Sequence, residues 1–102
     1  MEGRYEVRKE TFRYRPHYGI SRRWQIHIYS LGGLYYESPE YAAMIDEAIT
    51  AVAPDYYHAL KRCIVNDDSP RKVSYDFFIS ERTIEYRLRR YYAYMYQKLK
   101  KE

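Results

Sequence analysis

The period of the apolar positions changes near residue 20 of this 102-residue chain. Residues 1–20 interleave basic and aromatic side chains, and the alternation over residues 5–11 fits one face of a strand, so an irregular arm or a short β-hairpin is predicted. Beyond this segment, apolar side chains recur at the spacing of a helix face. The residues on that face are Ile20, Trp24, Ile28, Leu31 and Tyr35. A helix capped by Ser21 is therefore predicted, with a strand over residues 24–29 as the alternative.

Two Ser-Pro pairs, at residues 38–39 and 69–70, mark the starts of later helices. Each pair places a capping hydroxyl before a proline at the first helical position, where a missing N–H costs nothing. Pro54 interrupts the helix that the first pair begins, and a further helix or a kinked continuation carries apolar residues over 56–64. The second pair begins a short helix, whose inward-facing residues are predicted to be Val73, Phe77 and Phe78.

A tight turn connects this short helix to a longer helix that ends at about Lys100. Ile79 is predicted to be a buried residue of the turn, and Ser80 is predicted to cap the long helix. The apolar face of the long helix carries Ile84, Leu88, Tyr91 or Tyr92, Met95 and Leu99.

A chain of 102 residues supplies one domain with a modest core rather than two domains. The predicted fold class is mainly α. It consists of a basic and aromatic N-terminal arm over residues 1–20 and a single helical domain over residues 21–102. The short helix, the turn and the long helix form a predicted helix-turn-helix at residues 70–99.

Charge is distributed unevenly along the chain. Residues 1–36 hold seven Lys/Arg against three Asp/Glu, residues 37–68 hold two against seven, and residues 69–102 hold nine against four. The net charge of +4 and the pI of about 9.1 permit nucleic-acid binding. The concentration of positive charge on the predicted helix-turn-helix favours nucleic-acid binding, because charge that serves only solubility does not need to be distributed so unevenly.

Polar side chains of the last two helices lie opposite their predicted apolar core. In a helix-turn-helix the second helix places its first turns in the DNA major groove. Arg82, Tyr86 and Arg89 fall on one stripe of that helix, and arginine can donate two hydrogen bonds to guanine. Arg71 and Lys72 begin the preceding helix and are placed for phosphate. The predicted DNA-binding set is Arg71, Lys72, Ser80, Glu81, Arg82, Thr83, Glu85, Tyr86, Arg87, Arg89 and Arg90.

Residues 70–99 resemble the C-terminal helix-turn-helix of phage-encoded late-gene transcription regulators of the ArpU and RinA type, which is similar to the promoter-reading domain of sigma factors. The shared pattern is an aliphatic-Ser-x-x-Thr turn followed by an aromatic residue and an Arg-Leu pair. It is matched here by Ile79, Ser80, Thr83, Tyr86, Arg87 and Leu88. The resemblance implies a small cytoplasmic protein of phage or prophage origin that binds promoter DNA and regulates transcription without a cofactor.

No catalytic or metal-binding motif is recognisable in the sequence. His17, His27 and His58 are far apart, no Cys-x-x-Cys or His-x-x-x-His spacing occurs, and Cys63 is the only cysteine. Cys63 is interpreted as a buried structural thiol in a reducing compartment. No apolar run is long enough to cross a membrane and the N-terminus lacks a signal-peptide core, so a cytoplasmic protein with no enzymatic activity and no cofactor is expected.

Two further surfaces remain as hypotheses. The fifteen tyrosines are interpreted chiefly as core and rim packing, yet one core cannot bury all of Tyr91, Tyr92, Tyr94 and Tyr96, so this run is the candidate surface for a homodimer. The basic arm is a candidate for the DNA minor groove, with a solvated tail as the alternative. Its cationic residues are Arg4, Arg8, Lys9, Arg13 and Arg15.

The alternative function is a protein-interaction module that binds RNA polymerase or a phage packaging component.

Overall fold

The computed structural model describes residues 11–101, and this part of the chain contains five α-helices and no β-strand. The mainly α prediction is confirmed, as is the helix, rather than the strand, after Ser21. The part of the predicted N-terminal hairpin that falls on residues 1–10 lies outside the described residues. The helices are α1 (Arg22–Gly32), α2 (Pro39–Val52), α3 (Tyr57–Val65), α4 (Pro70–Phe77) and α5 (Glu81–Lys100).

Serine side chains begin four of the helices, as the sequence predicts. Each serine oxygen accepts a hydrogen bond from the backbone N–H three residues further on, at 3.1–3.3 Å. The four caps are Ser21, Ser38, Ser69 and Ser80. Helix α3 begins differently, because Pro54 starts a short 3₁₀ turn, Pro54–Tyr56, that leads directly into it. The predicted interruption at Pro54 is therefore confirmed.

Helix α5 is the central element of the domain, since α1, α2, α3 and α4 all contact it. Its buried stripe consists of Ile84, Leu88, Tyr91 and Met95, whose exposed fractions are between 0% and 7%. Aliphatic side chains of α1, α2 and α3 complete one core cluster with this stripe. The four positions recur at helical spacing, so the opposite side of α5 is left at the surface.

The segment that precedes α1 is irregular and lies against the helices. It contains a short 3₁₀ turn, Pro16–Tyr18, and Gly19 follows with a φ of +70°, a left-handed conformation that glycine adopts without strain. Tyr18 and Ile20 are buried. The irregular alternative of the N-terminal prediction is confirmed for residues 11–20, and their buried side chains pack against the domain.

Gln25 of α1 fixes that segment by three hydrogen bonds. Its side chain is 0% exposed. Its Nε2 donates to the carbonyls of Arg15 and Ile20, both at 2.9 Å, and its Oε1 accepts from the Arg15 N–H at 3.0 Å. The Ile20 carbonyl is bonded in a buried position, where an acceptor without a donor would be costly, and the two part-buried bonds to Arg15 hold the start of the 3₁₀ turn against α1.

The prediction that Phe78 faces inward is wrong. Val73 is fully buried and Phe77 is half-buried, but the Phe78 side chain is 95% exposed. Helix α4 ends at Phe77, and Phe78 takes a left-handed conformation, with φ 56° and ψ 41°. This conformation breaks the helical period, so the ring points away from the direction that spacing alone would give it. Ile79 is half-buried rather than buried.

Candidate nucleic-acid interface

The connection between α4 and α5 is short and well bonded. Phe78, Ile79 and Ser80 form it, and the Ile79 N–H donates to the Ser74 carbonyl at 3.2 Å. Ser80 Oγ accepts from the Thr83 N–H at 3.1 Å and lies 2.8 Å from Thr83 Oγ1. Two members of the predicted DNA-binding set, Ser80 and Thr83, therefore define where α5 begins.

Arg82, Tyr86 and Arg89 lie on the surface of α5 opposite its buried stripe, and all three are exposed. We call these three residues the α5 stripe. Tyr86 is 52% exposed, and its hydroxyl accepts a hydrogen bond from the Arg90 guanidinium at 3.2 Å. The bond to Arg90, with that cation's charge, lowers the pKa of Tyr86. The predicted grouping of arginine and tyrosine on one exposed face is therefore present.

Two cations of α4 are also exposed. Arg71 and Lys72 lie in its first turn, where Ser69 caps the helix. Glu81, in the first turn of α5, is exposed as well and contributes a carboxylate near the positive end of that helix. The exposed members of the predicted set are Arg71, Lys72, Ser80, Glu81, Arg82, Tyr86, Arg89 and Arg90.

Glu85 and Arg87, two members of the predicted set, bond to residues outside α4 and α5. Glu85 accepts a hydrogen bond from the Arg15 guanidinium at 2.9 Å, in a pair that is about one-third exposed. Arg87 donates to the Val52 carbonyl at 2.6 Å, at the end of α2, and its guanidinium lies 5.6 Å from the centre of the Tyr56 ring. Position 87 is three residues from the buried Ile84, so it lies at the border of the core face.

The N-terminal cations divide into two groups. Arg15 is engaged with Glu85, whereas Arg13 is exposed. Arg4, Arg8 and Lys9 lie outside the described residues. The minor-groove role of the arm stays a hypothesis, and within the described segment Arg13 is the arm cation that remains at the surface.

The tyrosine run of α5 packs against its own chain. Tyr91 is 1% exposed. The Tyr92 ring lies 5.2 Å from that of Tyr18, the Tyr96 ring lies 5.2 Å from that of Trp24, and the Tyr94 hydroxyl donates to Glu47 at 2.7 Å. Core and rim packing is confirmed for these rings. Association of two chains through their remaining surface stays a prediction.

A cavity of about 350 Å³ lies between the segment that precedes α1, helix α1, the end of α3 and helix α5. Arg15, Asp68, Tyr18 and Cys63 are among its lining residues. Burial raises the pKa of the Cys63 thiol to about 12, and nearby carboxylates add to the effect. A thiol held neutral in this way is a poor nucleophile and metal ligand, so the structural interpretation of Cys63 is supported.

Within residues 11–101, no cluster of three or more His, Cys, Asp or Glu side chains is arranged to hold a metal ion. None of the helices in the same part of the chain combines the length and apolar character needed to cross a membrane. Comparison of the sequence with protein-family models and with curated proteins, and of the fold with solved structures, found no match.

Proposed function

We propose that this chain binds duplex DNA and that the α5 stripe contacts base edges in the major groove. The proposal includes sequence-specific recognition and a role in transcription regulation, in line with the resemblance of residues 70–99 to phage late-gene regulators. It requires no metal or organic cofactor. The observation that carries it is the exposed stripe of Arg82, Tyr86 and Arg89 on the face of α5 that the core leaves at the surface.

The chemistry of these side chains suits base edges and phosphates. An arginine fork can donate two parallel hydrogen bonds to the N7 and O6 atoms of guanine. Arg71 and Lys72, exposed at the start of α4, are of the type that contacts phosphate oxygens. Such contacts fix the register of a protein on the duplex, while contacts to base edges provide its sequence preference.

The contacts that remove Glu85 and Arg87 from the free surface also support the proposal. The Arg15 guanidinium compensates the Glu85 carboxylate, which would otherwise repel phosphate from the flank of α5. Arg87 links α5 to the end of α2, so it orients the helix instead of reaching DNA. We assign both residues a positioning role, and we assign base and phosphate contacts to Arg71, Lys72, Arg82, Tyr86, Arg89 and Arg90.

Binding to labelled duplex DNA across a salt series tests the proposal. Wild type is compared with Arg82→Ala/Arg89→Ala and with Lys100→Ala/Lys101→Ala, a control that removes the same charge from exposed positions at the far end of α5. Affinity should fall steeply with salt, because phosphate neutralisation releases counterions. The first double variant should lose at least about thirtyfold in affinity, at about 1 kcal/mol for each of the two lost contacts, and the control should stay close to wild type.

Absence of duplex binding, or equal losses in the two double variants, would contradict the proposal. Because all four substituted residues are exposed, both variants should retain the far-ultraviolet circular dichroism of wild type. A loss of helix content in either variant would identify a folding defect, and single substitutions would then replace the pair.

One observation favours a second function, a protein-interaction module. Tyr75 and Phe78 are 69% and 95% exposed, and aromatic side chains are enriched at protein interfaces. The partner in this alternative is RNA polymerase or a phage packaging component. Salt separates the two functions, because an aromatic interface does not show the steep loss of affinity that counterion release causes.

A further inference from the structure

Phe78 is the most exposed of the large hydrophobic side chains in the described residues, at 95%. Its left-handed backbone conformation, φ 56° and ψ 41°, is one that a bulky residue rarely adopts, and glycine would adopt it without strain. Because the ring is exposed, it does not stabilise the domain through burial of apolar surface. A bulky residue kept at a strained and fully exposed position indicates a use outside the folded monomer.

The place of Phe78 in the fold connects it with the proposed DNA site. It lies two residues before Ser80, the cap of α5, and therefore at the end of α5 that enters the major groove in the proposed function. Apart from the Tyr75 ring, the exposed side chains nearest to it in sequence are polar or charged. They are Asp76, Ser80, Glu81 and Arg82. Arg82 belongs to the α5 stripe, so Phe78 lies four residues along the chain from a proposed base contact.

The major groove offers one kind of apolar group to an exposed ring. Its base edges present nitrogen and oxygen donors and acceptors, and thymine adds its C5-methyl group. We propose that Phe78 contacts the methyl group of a thymine and thereby makes the chain prefer an A·T pair at one position of its site. This inference rests on the proposed function and adds a residue that determines specificity to it.

The test begins with selection of sites from a random duplex library by wild type, by Phe78→Gly and by Tyr36→Ser. Glycine keeps the left-handed conformation available, so Phe78→Gly is expected to fold and to be at least as stable as wild type to heat. Tyr36 is 74% exposed in the segment that follows α1, so Tyr36→Ser is a matched control for the loss of an exposed aromatic ring. Each thymine of the wild-type site is then replaced by uracil, which lacks the methyl group.

Replacement of one thymine should weaken wild type and Tyr36→Ser by about fourfold, the affinity equivalent of one buried methyl-sized group. The same replacement should leave Phe78→Gly unchanged. An A·T preference kept by Phe78→Gly, or uracil effects that are equal in the three proteins, would overturn the inference while leaving duplex binding established. Failure of wild type to bind any duplex would overturn the proposed function together with the inference.

Discussion

Replacement of Gln25 by methionine tests how the segment before α1 is attached to the helices. Methionine has nearly the length and shape of glutamine, so the change removes hydrogen bonds with little change in packing volume. Gln25 is 0% exposed and makes three hydrogen bonds, all to backbone atoms of Arg15 and Ile20. The Ile20 carbonyl is bonded in a buried position, so the substitution leaves a buried acceptor without its donor.

The magnitude follows from these bonds. A protein hydrogen bond contributes about 0.5–1.5 kcal/mol net, and a buried polar group that loses its partner costs about 1–3 kcal/mol. We therefore expect Gln25→Met to lower the free energy of unfolding by about 2–4 kcal/mol. In a domain of this size, the lower bound corresponds to a decrease in Tm of about 8–16 °C.

The decrease in unfolding free energy is measured by urea unfolding, monitored by circular dichroism and by the fluorescence of Trp24, the single tryptophan. Trp24 precedes Gln25 and contacts Tyr96 of α5, so its emission reports on the packing of α1 against α5. Gln97→Met is the matched control, because Gln97 is exposed on α5 and its replacement should change stability by no more than about 0.5 kcal/mol. A Gln25→Met protein within about 0.5 kcal/mol of wild type would refute the role assigned to these hydrogen bonds.

Three other predictions concern buried or partly buried groups. Arg87→Met should lower the free energy of unfolding by about 1–2 kcal/mol in urea titrations, because a carbonyl at the end of α2 loses its charged donor, whereas Arg89→Met at an exposed position should be neutral. Burial lowers the pKa of His27, so the unfolded chain binds the proton more readily. Unfolding free energy should therefore fall as pH drops through the ordinary histidine pKa of 6.5, and His27→Gln should flatten that profile while His58→Gln, at an exposed position, retains it. Cys63, with its pKa raised to about 12, should react with a disulfide reagent at about pH 8 only after urea unfolding, and rapid native labelling would contradict its burial.

Local sequence signals predicted the helices well, because each depends on residues close together in the chain. A capping serine and a following proline specify the starts of α2 and α4 without reference to the rest of the fold. The buried stripe of α5 follows in the same way from helical spacing. Tyr91, rather than Tyr92, is the fully buried member of its pair, a choice that spacing left open.

The features that the sequence did not predict depend on contacts or conformations that the spacing of apolar residues does not indicate. Gln25 is polar in sequence but buried, because its amide serves backbone groups of a segment that lies ten and five residues away. The sequence groups Arg87 with the other arginines of α5, and only the position of α2 gives it a carbonyl partner. Phe78 does not face inward as predicted, because its own left-handed conformation ends α4.

The buried side and the exposed side of α5 belong to one helix, so the contacts that hold the buried side also orient the exposed side. Contacts with α1, α2, α3 and α4 hold the buried side. The bond of Arg87 to α2 and the pair of Glu85 with Arg15 fix the two flanks. The backbone of α5 is therefore oriented by the fold before any ligand is present, so binding does not have to order the helix itself. Substitutions in the stripe should change affinity with little effect on stability, whereas substitutions at Glu85 or Arg87 should change stability first and affinity only through the orientation of α5.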